Sequence, residues 1–395
     1  MVRDRPSKMK RSQLLLVVGL AWLLGSSLAG GQVLEEPPED KIYLAAFPDF
    51  GGWEDEVDCC RIAAYEGLAG RPIAWAYFSD NWVDGIRFPF EAVRAIHDAG
   101  RVPFIRLMPR PACDMDDCKP SCMTPGQKPY PLETLLDEQR ENELRCWADA
   151  ARATAKPLLI EFGTEVNGCW FPWNSKWNGG ATPSKKNSNC FASQELFKAT
   201  YRRIVDIFDE QGADNVTWFF HVDCSGYPDE PWNDIFGYYP GDDYVDWIGI
   251  SCYGADEPGA TWRSLEDALT PLLKKLEDPD SPISGDKPIA LLEFAVTEGT
   301  GPDERKDEWI SEAFDYLEQN KATFRAVSWW HETFGPIGAE SEFRIDSSND
   351  ALLAYRRAVA SSDFTHDLVF GAGTASTKSP PASCGKAPTK SGEKK

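Results

Sequence analysis

Positive charge is in short supply along this chain. It carries 41 Lys and Arg against 63 Asp and Glu, a formal charge of −22 over 395 residues. Five of those basic side chains fall within the first 29 residues, so the remainder is more acidic still. A surface of that sign repels phosphate backbones and anionic headgroups, which argues against nucleic-acid or membrane-surface partners. Histidine is scarce as well, with four copies, and no two cysteines stand in CxxC spacing. A zinc site therefore lacks its usual ligands, and no metal is expected. No GxGxxG or GxxxxGKS opens a helix, and neither GxSxG nor HExxH occurs. Nucleotide-dependent, esterase and metalloenzyme chemistries lose their usual carriers, so no cofactor is expected. After residue 24 no apolar run is long enough to span a bilayer.

The ends of the chain read as accessory segments. Arg3, Arg5, Lys8, Lys10 and Arg11 precede an apolar run from Leu14 to Leu24 and the small residues Ser27-Leu28-Ala29. That order is a secretory signal peptide over residues 1–29, with a retained anchor as the alternative. Export to the extracellular space or periplasm follows, and residues 30–41 form a short linker. Eleven cysteines fit an oxidising compartment. Cys113, Cys118 and Cys122 share one Pro-rich loop, and Cys169 and Cys190 bracket a second loop that a disulfide between them would close. Asn215-Val216-Thr217 is a glycosylation sequon. From 367 to 395 the Ser, Thr, Pro and Lys content reads as a disordered tail.

Between these ends one unit repeats. Strand-like runs occur at Ile42–Phe47, Ile73–Phe78, Val102–Met108, Pro157–Phe162, Asn215–His221, Val245–Ser251, Ile289–Phe294 and Phe324–Trp330. Amphipathic stretches follow them at Glu91–Ala99, Asn142–Thr154, Gln194–Gln211, Ser264–Glu277, Arg305–Asn320 and Asp350–Ala360. Apolar strands alternating with helices indicate a parallel sheet buried on both faces. Eight such units over residues 42–366 predict an α/β protein, a single (β/α)8 TIM barrel with long, disulfide-containing βα loops. A doubly wound open sheet is the alternative.

In such a barrel the chemistry sits at the C-terminal ends of the strands. Glu165 follows the fourth strand and Glu293 ends the seventh, so the ring brings them to one bowl from opposite sides. Two carboxyl groups astride a glycosidic bond can divide the work, one as acid/base and one as nucleophile. Alternation places Glu161 on the same face as Glu165, inside the barrel, where Arg106 is a plausible partner. Aromatic rings give flat platforms for the apolar faces of sugars. Trp170, Trp173 and Trp177 follow strand four, Trp82 strand two, Tyr227 and Trp232 strand five, and Tyr253 strand six. Trp329-Trp330-His331 ends strand eight. Asn167, beside Glu165, and His221, ending the fifth strand, are further candidates for substrate contact.

The segment Glu165-Val166-Asn167-Gly168-Cys169-Trp170-Phe171-Pro172-Trp173 resembles the acid/base segment of glycoside hydrolase family 26, the β-mannanase family. The stretch from Tyr239 to Ile250 leading to Tyr253, and Lys287-Pro288-Ile289 leading to Glu293, are similar too. The resemblance implies a retaining (β/α)8 glycosidase with Glu165 as acid/base and Glu293 as nucleophile. It further implies that Trp170 helps form the sugar subsite, that Tyr253 holds the nucleophile, and that Trp330 is the strand-eight platform. Thr164 stands where the family usually has His, and Ser251 where an acid is common. The resemblance therefore carries the reaction class further than it carries β-mannan as substrate. The reading is a monomeric, endo-acting hydrolase of a β-linked polysaccharide. A non-catalytic carbohydrate-binding barrel and an inverting glycosidase of another family are the competing classes.

Overall fold

The computed structural model describes residues 32–51, 54–83, 85–110, 130–133, 135–178, 192–335 and 340–372. Residues 1–29, read above as a signal peptide, and Cys113, Cys118, Cys122, Cys190 and Cys384 lie outside the described residues. Eight strands form the frame: β1 (Ile42–Phe47), β2 (Trp75–Asn81), β3 (Val102–Met108), β4 (Leu158–Phe162), β5 (Val216–Asp223), β6 (Trp247–Ser251), β7 (Ile289–Phe294) and β8 (Phe324–Trp330). Each pairs in parallel with the next, and β1 pairs with both β2 and β8, closing the ring. The barrel expected from the repeat is present.

Helices α1 (Cys59–Ala69), α2 (Phe90–Asp98), α3 (Glu138–Thr154), α4 (Ala192–Gln211), α5 (Ile235–Tyr238), α6 (Leu265–Leu276), α7 (Lys306–Gln319) and α8 (Asn349–Val359) follow the strands in turn. Side-chain caps start several of them. Asp58, Asp137, Ser264 and Ser348 each accept a backbone N–H from the first turn of α1, α3, α6 and α8. Helix α1 does not stand out in the sequence, because only Ile62, Tyr65 and Ala69 of its eleven residues are buried.

The interior is aromatic low in the barrel and polar higher up. Phe219 contacts both Phe104 and Trp247, with ring centroids 4.7 and 5.7 Å apart. Above this layer the register sets Arg106 beside Glu161, His221 beside Gly249, and Ser251 beside Glu293. The interior ends of four strands thus place charged groups at the level where the loops begin. Among the described residues no helix is long and apolar enough to cross a membrane.

Two strands close the opposite end. Gln32–Leu34, in the stretch read as linker, pairs antiparallel with Phe370–Ala372, in the stretch read as tail. Leu34 donates its N–H to Thr217 Oγ1 at 2.8 Å and accepts from Trp247 Nε1 at 3.2 Å. The sequon is buried: Asn215 Nδ2 donates to the carbonyls of Ala151 and Lys156, and Thr217 is fully enclosed. The folded chain has no room for a glycan there.

Candidate active site

A buried Arg on a strand is costly unless anions surround it, and Arg106 of β3 is so surrounded. Its Nη1 lies 3.1 Å from Glu54 and its Nη2 3.5 Å from Glu293, while Nε lies 3.6 Å from Glu161 and donates to Thr164 Oγ1 at 3.2 Å. Glu161 has no solvent exposure. It accepts from Tyr77 Oη at 2.7 Å and from Thr164 Oγ1, and pairs with His221 Nδ1 at 2.8 Å. Burial works against its ionised form, but the charges of His221 and Arg106 outweigh that and hold its carboxyl below the ordinary range.

The turn after β4 lifts Glu165 above this floor. Gly163 sits in the left-handed region (φ +72°), where a Cβ would come within 2.6 Å of the Phe197 ring. Glu165 is itself left-handed (φ +45°), a conformation that costs a non-glycine residue about 1 kcal/mol or more and recurs at functional sites. The Trp170 indole packs over Gly168, where a Cβ would approach it to 2.3 Å, and donates to Glu165 Oε2 at 2.6 Å. From the other side Tyr253 Oη donates to Glu293 Oε2 at 2.9 Å. One carboxylate oxygen of Glu165, one of Glu293 and a ring nitrogen of His221 all lie within 4.8 Å of one another.

The two carboxyl groups are not equivalent. Burial, then the neighbouring Glu293 and Asp223, push Glu165 up to about 8. Burial also raises Glu293, but Arg106 and Tyr253 pull it the other way. Glu165 is thus the member of the pair that keeps a proton near neutrality, and Glu293 the member that ionises first.

Above them opens a cleft of about 790 Å³. Trp170, Phe171, Tyr227, Tyr253, Trp330, Phe334 and Phe343 line it, together with Glu54, Arg110 and Glu332. Trp330 is held flat by Phe47, 4.1 Å away and nearly parallel, and donates to Glu332 at 3.0 Å. Burial and the facing Glu54 push Glu332 up to about 8. Tyr227 and Phe334 are 57% and 46% exposed, which leaves broad apolar faces free in the cleft. A Cys224–Cys252 disulfide ties the ends of β5 and β6. Cys169 is also disulfide-bonded, while Cys190, the partner expected for it, is outside the described residues.

Of the residues singled out from sequence, Glu165, Glu293, Trp170, Tyr227, Tyr253 and Trp330 converge on this cleft. Four of the residues expected to contact substrate do not line it. Trp173 is buried below the rim, stacked on Phe171 and donating to Thr164 O at 2.7 Å. Trp82 is buried against Tyr130. Asn167 exchanges two 2.8 Å hydrogen bonds with the backbone of Asp223, clamping the β4 loop to the end of β5. His221 lies beneath the floor with both ring nitrogens engaged, by Glu161 and by Ser251. All four are buried behind the cleft wall rather than facing into it. Phe334, Phe343 and Glu54 were not singled out, since they come from loops with no strand-end signature, while Glu332 and the Cys224–Cys252 bond stand at strand ends without a motif that marks them. Arg106 appeared only as a partner for Glu161, although an Arg inside the apolar run Val102–Met108 is itself a signal of buried anions.

Fold and site together define a class: a (β/α)8 barrel presenting a glycosidase-type carboxylate pair, with aromatic walls, at the C-terminal ends of its strands. Residues 142–267, which include Glu165 and Tyr253, match the model of glycosyl hydrolase family 26. Endoglucanase H of Acetivibrio thermocellus is 33% identical over 245 residues, 61% of this chain and 24% of that protein. A β-1,3-xylanase from Alcaligenes sp. is 24% identical over 183 residues, 44% of this chain and 34% of that protein. The matches thus span about a quarter and a third of these relatives' lengths. A β-mannanase from a symbiotic protist of the termite Reticulitermes speratus shares the fold, with a TM-score of 0.51 and 17% identity over 83% of this chain and 89% of that one. Over residues 142–267 the chain is thus similar to glycosyl hydrolase family 26.

Proposed function

We propose that this chain is a retaining, endo-acting glycoside hydrolase of a β-linked polysaccharide, exported through its N-terminal segment and active as a monomer. The observation that carries the reading is the Glu165–Glu293 pair, with oxygens within 4.8 Å across one cleft. Carboxyl groups about 5–5.5 Å apart serve a nucleophile and an acid/base, whereas inversion needs about 6.5–9.5 Å to admit a water. In the first step a Glu293 oxygen bonds to the anomeric carbon, the glycosidic C–O bond breaks, and the Glu165 proton passes to the leaving oxygen. In the second, Glu165 takes a proton from water, the water oxygen bonds to the anomeric carbon, and the ester to Glu293 breaks. Tyr253 holds the nucleophile in line, and Arg106 balances its charge before attack.

An open cleft walled by Tyr227 and Phe334 beyond Trp170 and Trp330 suits a chain bound along its length rather than at its end. The relatives' names span a glucanase, a β-1,3-xylanase and a mannanase, so β-mannan, mixed-linkage glucan and β-1,3-xylan are the polymers to assay first. The anomer released first, followed by proton NMR on whichever polymer is cleaved, tests the mechanism. Retention of the β configuration is expected; initial release of the α anomer contradicts it.

A further inference from the structure

The double displacement asks Glu165 to give up one proton and take another in every turnover, and the role of two buried neighbours, His221 and Ser251, is inferred on that assignment. Beneath the carboxylate pair runs a buried line of polar groups to which that scheme gives no part. Glu161 on β4 pairs with His221 Nδ1 on β5 at 2.8 Å, and His221 Nε2 lies 2.7 Å from Ser251 Oγ on β6. Ser251 reaches Glu165, whose ionised form it favours. His221 and Ser251 are 1% and 0% exposed. The groups facing the imidazole are Glu161 and Glu165 from β4 and its turn, Tyr77 from β2 (Oη 3.4 Å from Nδ1), Arg106 from β3 and Glu293 from β7. Three carboxyl groups thus outnumber the single neighbouring cation. Burial disfavours the imidazolium, but Glu161 outweighs it and holds His221 towards the charged form.

Polarity along the line follows from these contacts. With both ring nitrogens protonated, Nδ1 faces the Glu161 carboxylate and Nε2 donates to Ser251 Oγ. The serine proton is then free to be donated to Glu165, the carboxyl group with which Ser251 shares a side-chain hydrogen bond. We propose that His221 and Ser251 are positioning residues for the acid/base carboxylate, the imidazolium orienting the serine hydroxyl so that it donates to Glu165 each time that group becomes an anion. Among the described residues no Lys or Arg forms an ion pair with Glu165. Thr164, its neighbour in sequence, is neutral and engaged by Arg106 and Glu161, while Arg106 contacts Glu293. The charge beneath the acid/base comes from β5.

The pH dependence of kcat/KM on an activated aryl β-glycoside, measured for Ser251→Ala and His221→Gln, tests this. Removing the serine donor disfavours ionised Glu165, so Ser251→Ala moves the alkaline limb up by about one pH unit, the size of one lost hydrogen bond to a charged group, and leaves the acid limb in place. His221→Gln removes a positive charge from beside both carboxylates, so it moves both limbs upward. A merely structural role lowers kcat without moving either limb, and unmoved limbs in folded variants overturn the proposal. If His221→Gln fails to fold, Ser251→Ala, which removes one oxygen, decides alone. Azide rescue of Glu165→Ala on the same substrate separates the two assignments. With rescue intact and the limbs fixed, the relay is wrong and the acid/base assignment stands; without rescue, both fall.

Discussion

Glu165 and Glu293 are the same side chain made unequal by their surroundings, and the pH profile of the wild-type protein follows from that inequality. On the proposed assignment Glu165 must be protonated to donate, so activity should fall as pH rises through its value of about 8. On the same assignment Glu293 must be ionised to attack, so activity should rise as pH passes its value, which burial lifts above the ordinary carboxylate range. A kcat/KM profile should therefore be bell-shaped, with its alkaline limb near 8 and its acid limb above the ordinary Glu value of about 4.3. An alkaline limb near the ordinary Glu value would contradict the assignment. Glu165→Ala should lose roughly 10²–10⁴-fold on polysaccharide, yet still be glycosylated by an activated aryl glycoside that needs no proton for its leaving group. Glu293→Ala should fail on both, and steady-state rates on the two substrates measure the difference. At this scale the sequence showed which acids stand at strand ends, but not which way neighbouring side chains turn. Trp173 and Asn167 lie within eight residues of Glu165 and face the core because the turn through Gly163 and Glu165 is left-handed, which linear spacing does not reveal.

Strands were more legible than loops. Ile42–Phe47, Val102–Met108, Ile289–Phe294 and Phe324–Trp330 have the bounds the apolar runs predict, because strands buried on both faces read as near-continuous apolar runs in which a charge such as Arg106 or Glu293 stands out. Helix α1 has a thin apolar face, α5 is a single turn, and Gln32–Leu34 and Phe370–Ala372 are three-residue strands, so none carries a periodic signal. The Cys224–Cys252 bond was equally hidden, since its cysteines belong to successive strand ends, 28 residues apart. It joins two loops that carry the site: Cys224 N donates to Ser251 O, Cys252 N donates to Glu293 O, and the next residue is Tyr253. Replacing both cysteines with serine should lower stability by about 3 kcal/mol and also lower kcat, because Tyr253 and Ser251 lose their tether. Urea unfolding and initial rates check the two effects. A stability loss with kcat unchanged would show that the staple does not order the site.

At the scale of the whole molecule, the cleft opens at the C-terminal ends of the strands while the paired Gln32–Leu34 and Phe370–Ala372 strands cap the other end. Stability and chemistry are therefore separable along the barrel axis. Leu34→Ala, at a buried site in the cap, should cost about 2–5 kcal/mol in urea unfolding while leaving kcat/KM at low temperature unchanged; a matching loss of activity would show the two ends to be coupled. Both ends depend on one claim, that this barrel exists to hold Glu293 where it can bond to an anomeric carbon. The most direct measurement uses the intact protein and an activated 2-deoxy-2-fluoro β-glycoside, whose first step outruns its second, so that a glycosyl-enzyme accumulates. Mass spectrometry of the intact chain and then of its peptides should show one added glycosyl group, esterified to Glu293. A label on any other residue would contradict the account, as would an unlabelled chain that still turns over the corresponding non-fluorinated glycoside.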